Sequence, residues 1–515
     1  MAPTFLSFLC PFSLYFLLTI ALVHSLSYLV FSWLLTPGGP AWAGKPIGKR
    51  RIPGPRGLPV LGSLVQLSYG LSHHKLAEMA AHYNAKKLMA LSLGTSPLVV
   101  TSDPDVAHEL LSSAFFADRP LKQAAHHMMF DRAIGFAPSG PYWRLLRKVS
   151  WTHLFSQRSI KAQAQARKLG VQRLMSNIMH EARIEASVCL RKHLQEAAFY
   201  DIMHCVFGDR VEVDSKEALE LREMVEEGYE LLGRFDWCDH LPWLRPMDPL
   251  RIRHRSQGLS SRVREWIGRV VKRCTIEVDV ESENPGFVHV LLSLSREEKL
   301  GDEDVIAVIW ELFFRGTDTS ALLAEWATAE IILNPHVQST LQSELDLVVG
   351  PTRGVHHDDL PHLKYLQSII KETLRVHPPG PLLSWARLCT QDTELRSGLL
   401  VPKGSMAMVN MWAIMRDPHM WDLPERFEPK RFLTEISGRV MDVKGSDTRV
   451  APFGAGRRVC PGREVAMESV SLWVGEMFRR FEWGECVDHP IELGEVMRLS
   501  SEMRTPLRAV PMVRV

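Results

Sequence analysis

One ten-residue run constrains this chain more than any other: Phe453-Gly454-Ala455-Gly456-Arg457-Arg458-Val459-Cys460-Pro461-Gly462. Two spaced glycines permit tight turns and close backbone approach. Cys460 then stands just before an amphipathic helical stretch, with Pro461 suited to a first helical turn. A helix N-terminus lowers the pKa of a thiol and stabilises the thiolate. Arg458, two residues away, adds positive charge. A thiolate held in this way is a nucleophile or a metal ligand, whereas an ordinary buried cysteine is inert. The chain has eight cysteines in 515 residues. No two are spaced as C-x-x-C, and they are too sparse for a disulfide framework, which fits a reducing compartment.

Around that run the composition is that of a large packed protein. Hydrophobic residues make up 46% and charged residues 23%, which excludes a disordered or collagen-like chain. Lys+Arg 61 against Asp+Glu 59 leaves a net charge of +2, so nucleic acid is not expected as the main partner. The first 44 residues carry no Asp, Glu, Lys or Arg, and Phe12–Leu35 is almost wholly apolar. Those 24 residues would make about 36 Å of helix, enough for a bilayer core of roughly 30 Å. A cleaved signal peptide would have a charged start and a shorter apolar stretch. The expectation is a retained anchor over residues 1–36. The cluster Lys45, Lys49, Arg50, Arg51 and Arg56 marks the cytosolic side.

Residues 37–60 contain two Pro/Gly runs and read as a stiff proline-rich linker. Residues 61–515 read as the folded domain. Lys87–Leu93 and Leu98–Thr101 are expected to be strands around a turn at Gly94–Pro97. Helices are expected over Asp201–Leu241, Leu259–Val280, Asp302–Asn334 and Leu363–Val376, a loop over Ser282–Gly286, and strands over Arg498–Val515. The proline-free Asp302–Asn334 segment would span about 50 Å and cross the domain. Inside it lies Gly316-Thr317-Asp318-Thr319, where a glycine costs about 1 kcal/mol against alanine and so calls for a reason. His73-His74, His126-His127 and His356-His357 read as surface or loop pairs, because adjacent residues do not share a helical face.

The run at 453–462 resembles the haem-binding loop of the cytochrome P450 family, F-x-x-G-x-R-x-C-x-G, with Phe453, Gly456, Arg458, Cys460 and Gly462 all matching. Other landmarks follow the family's order: Glu372-x-x-Arg375, Trp143-x-x-x-Arg147, and a Trp421…Arg431-Phe432 segment. For the last, Arg431 is preferred to the alternative Arg426 as the partner of Glu372. The resemblance implies a mainly α fold with small β-sheets, preceded by one transmembrane helix. It implies haem b with Cys460 as axial thiolate ligand to iron, which favours O–O cleavage. Phe453 would pack near the sulfur, and Arg458, Trp143, Arg147 and Arg387 would contact the haem propionates.

Gly316, Asp318 and Thr319 resemble the family's oxygen-activation motif. Gly316 would open the helix beside the haem, the Thr319 hydroxyl would face dioxygen, and Asp318 would relay protons. The implied activity is hydroxylation of an apolar small molecule with O2. No G-x-G-x-x-G fingerprint is present, so electrons would come from a separate NADPH–cytochrome P450 reductase, with Arg144, Lys148 and Arg457 as docking candidates. The Phe314-Arg315-Gly316-Thr317-Asp318-Thr319 form, and the run Pro37–Gly44, look like a plant subfamily that includes the KLUH-type organ-growth regulators. That implies a fatty-acid-like substrate, a role in organ or seed size, and a single-pass protein of the endoplasmic reticulum membrane with its domain in the cytosol. His126–Phe136, Trp310–Phe314 and Leu382–Trp385 would face the substrate. Arg315 is expected to pair with Glu311 one turn earlier, or to contact a polar group of the substrate. A haem-thiolate isomerase or dehydratase, and a haem sensor without turnover, are the alternatives, and the Asp318–Thr319 pair speaks against the first.

Overall fold

The computed structural model describes residues 11–208, 211–276, 286–294, 300–433, 435, 436 and 439–514. The expectation of a mainly helical chain with small sheets holds. The first strands are Met89–Leu93 and Ser96–Thr101, antiparallel in register Leu91↔Leu98. Their turn is shorter than expected. Gly94 has φ +56°, and a Cβ there would lie 2.4 Å from the His240 carbonyl oxygen, so only glycine fits. Met406–Val409 joins in parallel and Arg387–Leu388 closes the four-stranded sheet. A second sheet pairs Phe481–Glu485, Arg508–Val513 and Val188–Cys189, and Glu495–Met497 pairs with Ser501–Met503 as a hairpin.

Two apolar cores meet at the middle of the chain's longest helical run. Asp302–Gly316 packs into one, with Leu190–Phe207, Lys216–Gly233 and Ile252–Ile276. Asp318–Leu333 packs into the other, with Lys364–Val376 and Arg463–Arg480. Every residue from Ser320 to Ile332 is buried, as expected of a helix covered on all sides. The single helix expected over Asp302–Asn334 is thus two, divided at Thr317. The Thr317 hydroxyl donates to the Phe313 carbonyl at 3.1 Å and the Thr319 hydroxyl to that of Arg315 at 3.3 Å. Such back-bonding bends helices.

The helix expected over Asp201–Leu241 is also divided. Leu190–Phe207 ends at Gly208, with φ 61°, and Lys216–Gly233 starts anew behind Ser215, whose hydroxyl caps the Ala218 amide. The loop expected at Ser282–Gly286 lies outside the described residues except for Gly286, which opens a short helix, Gly286–Leu292.

Pro11–Leu35 is a 25-residue helix, and Tyr15, Phe16, Leu17, Leu22, Val23 and Phe31 on it are exposed. Among the described residues no helix is long and apolar enough to cross a membrane. The Pro/Gly segment after it lies on the domain. Trp42 is buried and donates its indole N–H to the Leu91 carbonyl, and the Ala90 amide donates to Pro53. A Cβ on Gly54 would meet the Ala90 carbonyl oxygen at 1.9 Å, so the second run is fitted to the first strand.

Candidate active site

The cysteine loop is built by its glycines. Gly456 has φ +64°, and a Cβ there would fall 2.2 Å from the Leu111 carbonyl oxygen. The Cys460 amide donates to the Phe453 carbonyl at 3.0 Å, which closes the loop. The following helix begins at Arg463 behind Gly462, so Pro461 precedes the helix and does not occupy its first turn. Burial pushes the Cys460 thiol pKa up. The Gly462 amide and the charges of Arg147, Arg315 and Arg463 pull it down. Without further positive charge burial wins, and a bound metal ion would reverse that balance.

Guanidinium groups crowd the space beside this loop. Arg458 donates to the carbonyls of Ala117 at 2.8 Å, Ile134 at 2.9 Å and Ala137 at 2.5 Å, and lies 4.3 Å over the Trp143 ring. Arg147 donates to the Val459 carbonyl at 3.0 Å. The Trp143 indole N–H is already given to the Ile134 carbonyl at 3.0 Å, so this residue offers a ring face rather than a donor. Arg387 is buried; desolvation and the neighbouring Arg458 push its pKa down to about 9. Arg119, which the sequence reading passed over, joins them. Its Nη1 donates to the Trp385 carbonyl, while its Nε is buried without a partner. Burial, then Arg387, Arg315 and Arg458, hold its pKa well below the guanidinium range. Buried like charges with an orphaned donor are costly unless an anion lies among them. A group carrying two carboxylates, such as haem with its propionates, fits that need.

On the other side stands the divided helix. Asp318 is half-buried and accepts a hydrogen bond from Gln195 Nε2 at 2.7 Å. Desolvation dominates and pushes its carboxyl pKa up to about 6, against the opposing pull of Gln195. Gln195 is a second residue the sequence reading missed. Gly316 sits against the Leu190–Phe207 helix, where a Cβ would meet Ile202 Cδ1 at 2.5 Å. Helix packing thus gives one reason for this glycine. Arg315 pairs with Glu311 at 2.8 Å, and Glu311 also accepts from the Gly135 amide at 2.8 Å. A Cβ on Gly135 would lie 2.3 Å from both Arg315 Nη2 and Glu311 Oε1, so the contact needs glycine. Arg315 lies 5.7 Å over Phe136 and 5.9 Å over Trp385, and its Nη2 is buried without a partner.

The three segments expected to face the substrate do converge. Phe130 stacks with Phe136 and Trp310 and lies 4.8 Å from Phe314, while Phe136 lies 4.9 Å from Trp385. Leu383 and Ser384 both adopt positive φ, 55° and 63°, a strained pair at the entry to Trp385. Beneath the site Glu372 and Arg375 are fully buried and joined twice at 2.7 Å. Arg431 approaches Glu372 at 3.4 Å, whereas the Arg426 side chain points outward to Glu428, as expected of a decoy.

Known proteins resemble this chain. The cytochrome P450 family profile matches residues 52–503. Cytochrome P450 78A7 of Arabidopsis thaliana is 49% identical over 490 residues, 93% of this chain and 91% of that one. Cytochrome P450 78A11 of Oryza sativa is 48% identical, covering 93% and 89%. A zebrafish cytochrome P450 solved with abiraterone superposes with a TM-score of 0.72 at 23% identity, over 86% of this chain and all of that one, which speaks to the fold. The thiol loop, the arginine ring and the acid–alcohol helix thus find their family: the chain belongs to the cytochrome P450s, in the plant 78A group, and is a haem-thiolate monooxygenase.

Proposed function

We propose that the chain hydroxylates a fatty-acid-like molecule, with Cys460 as the iron ligand and Arg119, Arg147, Arg387 and Arg458 around the propionates. The haem supplies activation of O2 and insertion of one oxygen atom into a C–H bond. The protein's part is to exclude water, orient the substrate and move protons. The single observation that carries the reading is the geometry at the break of the central helix: the half-buried Asp318 carboxyl accepts from Gln195, desolvation raises its pKa to about 6, and the Thr319 hydroxyl next in sequence bonds the Arg315 carbonyl. Such a carboxyl can both give and regain a proton near neutral pH. Below about pH 6 Asp318 is protonated and ready to donate; above it the carboxylate must first be recharged. The ratio of product to NADPH consumed is therefore expected to fall as pH rises through about 6. Asp318→Asn flattens that limb and lowers turnover on the order of 10²-fold. An unchanged limb in the variant would remove Asp318 from the relay.

The aromatic wall of Phe130, Phe136, Trp310, Phe314 and Trp385 supports an apolar ligand. The unpartnered Nη2 of Arg315 supports a polar end to it. Arg315→Ala and Glu311→Ala, titrated with a fatty acid and its methyl ester, test this. Selective weakening of the acid by Arg315→Ala, about 10-fold for a lost charged hydrogen bond, is expected. Equal loss for acid and ester in both variants would leave Arg315 a structural partner of Glu311.

The reductase and membrane parts of the proposal rest on surface features. Arg144, Lys148 and Arg457 are exposed near the Cys460 loop, and a basic surface suits an acidic flavoprotein partner. The Pro11–Leu35 helix with its exposed apolar side chains supports a single-pass anchor in the endoplasmic reticulum. Removal of residues 1–36 is expected to release the protein from membranes with its haem spectrum intact; retention after a salt wash would contradict the single anchor. The resemblance to KLUH-type regulators supports a role in plant organ or seed size.

A further inference from the structure

Adjacency suggested surface or loop positions for His73 and His74, but both are helical, and only His74 reaches the surface. Both lie in the first turn of the Ser72–His82 helix, and His73 is fully buried. Their Nε2 atoms converge on one carboxylate oxygen from the far end of the chain: Glu495 Oε1 lies 3.0 Å from His73 and 2.7 Å from His74. The three ligand atoms all lie within 4.8 Å of one another. The groups are also held in place from outside. Ser501 Oγ donates to the second Glu495 oxygen at 2.6 Å, and the Trp412 ring stacks on His74 at 4.1 Å. Of the neighbouring cations, Arg416 is committed to Glu425 and to the carbonyls of Arg375 and Val376, and Arg504 lies 3.5 Å from the Glu495 carbonyl oxygen rather than at its carboxylate.

We propose that His73, His74 and Glu495 form a binding site for one divalent cation of the zinc type, separate from the haem. Two imidazoles and a carboxylate are a donor set that suits Zn2+, with a fourth position left for water. Bonds of about 2.0–2.2 Å place tetrahedral ligand atoms roughly 3.3–3.6 Å apart, so the His73–Glu495 pair must open by about 0.3–0.6 Å and the His74–Glu495 pair by about 0.6–0.9 Å, within reach of side-chain rotation. His74 has 37% of its side chain exposed, which gives the ion a way in. The Ser501 hydrogen bond is the kind of outer contact that orients a ligating carboxylate. Ligands 421 residues apart in sequence would be joined by the ion, pinning the Ser72–His82 helix to the Glu495–Met503 hairpin. That hairpin carries Ser500, bonded to Tyr229 at 3.2 Å, and Tyr229 packs 5.1 Å from Phe314. The ion would therefore brace one wall of the substrate pocket.

The test is competition of the haem-loaded full chain against a chromophoric chelator for Zn2+, with X-ray absorption at the zinc edge and thermal unfolding. Stoichiometric binding with N/O ligation and a raised unfolding midpoint is expected. His74→Ala should weaken binding at least 100-fold and Ser501→Ala about 10-fold, with His126→Ala, at another histidine pair, unchanged. The Soret spectrum of each variant reports that it has folded. Failure to bind one equivalent, or equal binding by wild type, His74→Ala and Glu495→Gln, would overturn the site.

Discussion

Cys460→Ser is expected to abolish the red-shifted Soret band of the reduced carbon-monoxide complex, and with it turnover. A serine hydroxyl is far less acidic than a thiol and does not supply the electron donation that thiolate gives to haem iron. The substitution leaves the loop itself standing. The Cys460 amide still reaches the Phe453 carbonyl, and Gly456 still fits under Leu111. The folded fraction, read by far-ultraviolet circular dichroism, should thus change little while the spectrum changes completely. A normal carbon-monoxide band in this variant would show that another group holds the iron.

The second large effect is structural. Glu372→Ala is expected to destabilise the domain by about 3–5 kcal/mol, because it strands the Arg375 charge in a fully buried position. Arg375 also holds the carbonyls of Met415, Pro424 and Arg426 and lies 5.1 Å over Trp421, so the loop that carries Arg431 would loosen with it. A loss of that size is a large part of the 5–15 kcal/mol that stabilises a typical domain. Arg426→Ala is the control. Its side chain is exposed and its carbonyl survives the substitution, so it should cost less than about 0.5 kcal/mol. Denaturant unfolding followed by the Soret band distinguishes them; equal destabilisation by both variants would contradict this assignment.

The most legible parts of the sequence were those where one residue type has a single physical use. Gly456, Arg458 and Cys460 announce a turn, a charge and a ligand within five positions. Glu372 and Arg375 announce a helical pair. Helix ends were less legible. Gly208 and Ser215 offered stop and start signals inside Asp201–Leu241, and apolar periodicity on both sides masked them. The break at Thr317 comes from side-chain hydrogen bonds to carbonyls one turn back, which hydropathy does not record. Pairings across the chain were least legible. Arg119 lies in an irregular segment between Asp118 and Pro120, which reads locally as an ordinary charged turn. Gln195 meets Asp318 from another helix, and His73 and His74 meet Glu495 more than 420 residues away. No local pattern contains such contacts, because they follow from how the two cores pack around the central helix.

The most direct test of the account is turnover of a fatty acid under 18O2 with NADPH and a reductase, followed by mass spectrometry. The account predicts one 18O atom in the hydroxylated product, strict dependence on NADPH, and loss of both in Cys460→Ser. Product formed without NADPH, or carrying oxygen from water, would contradict it.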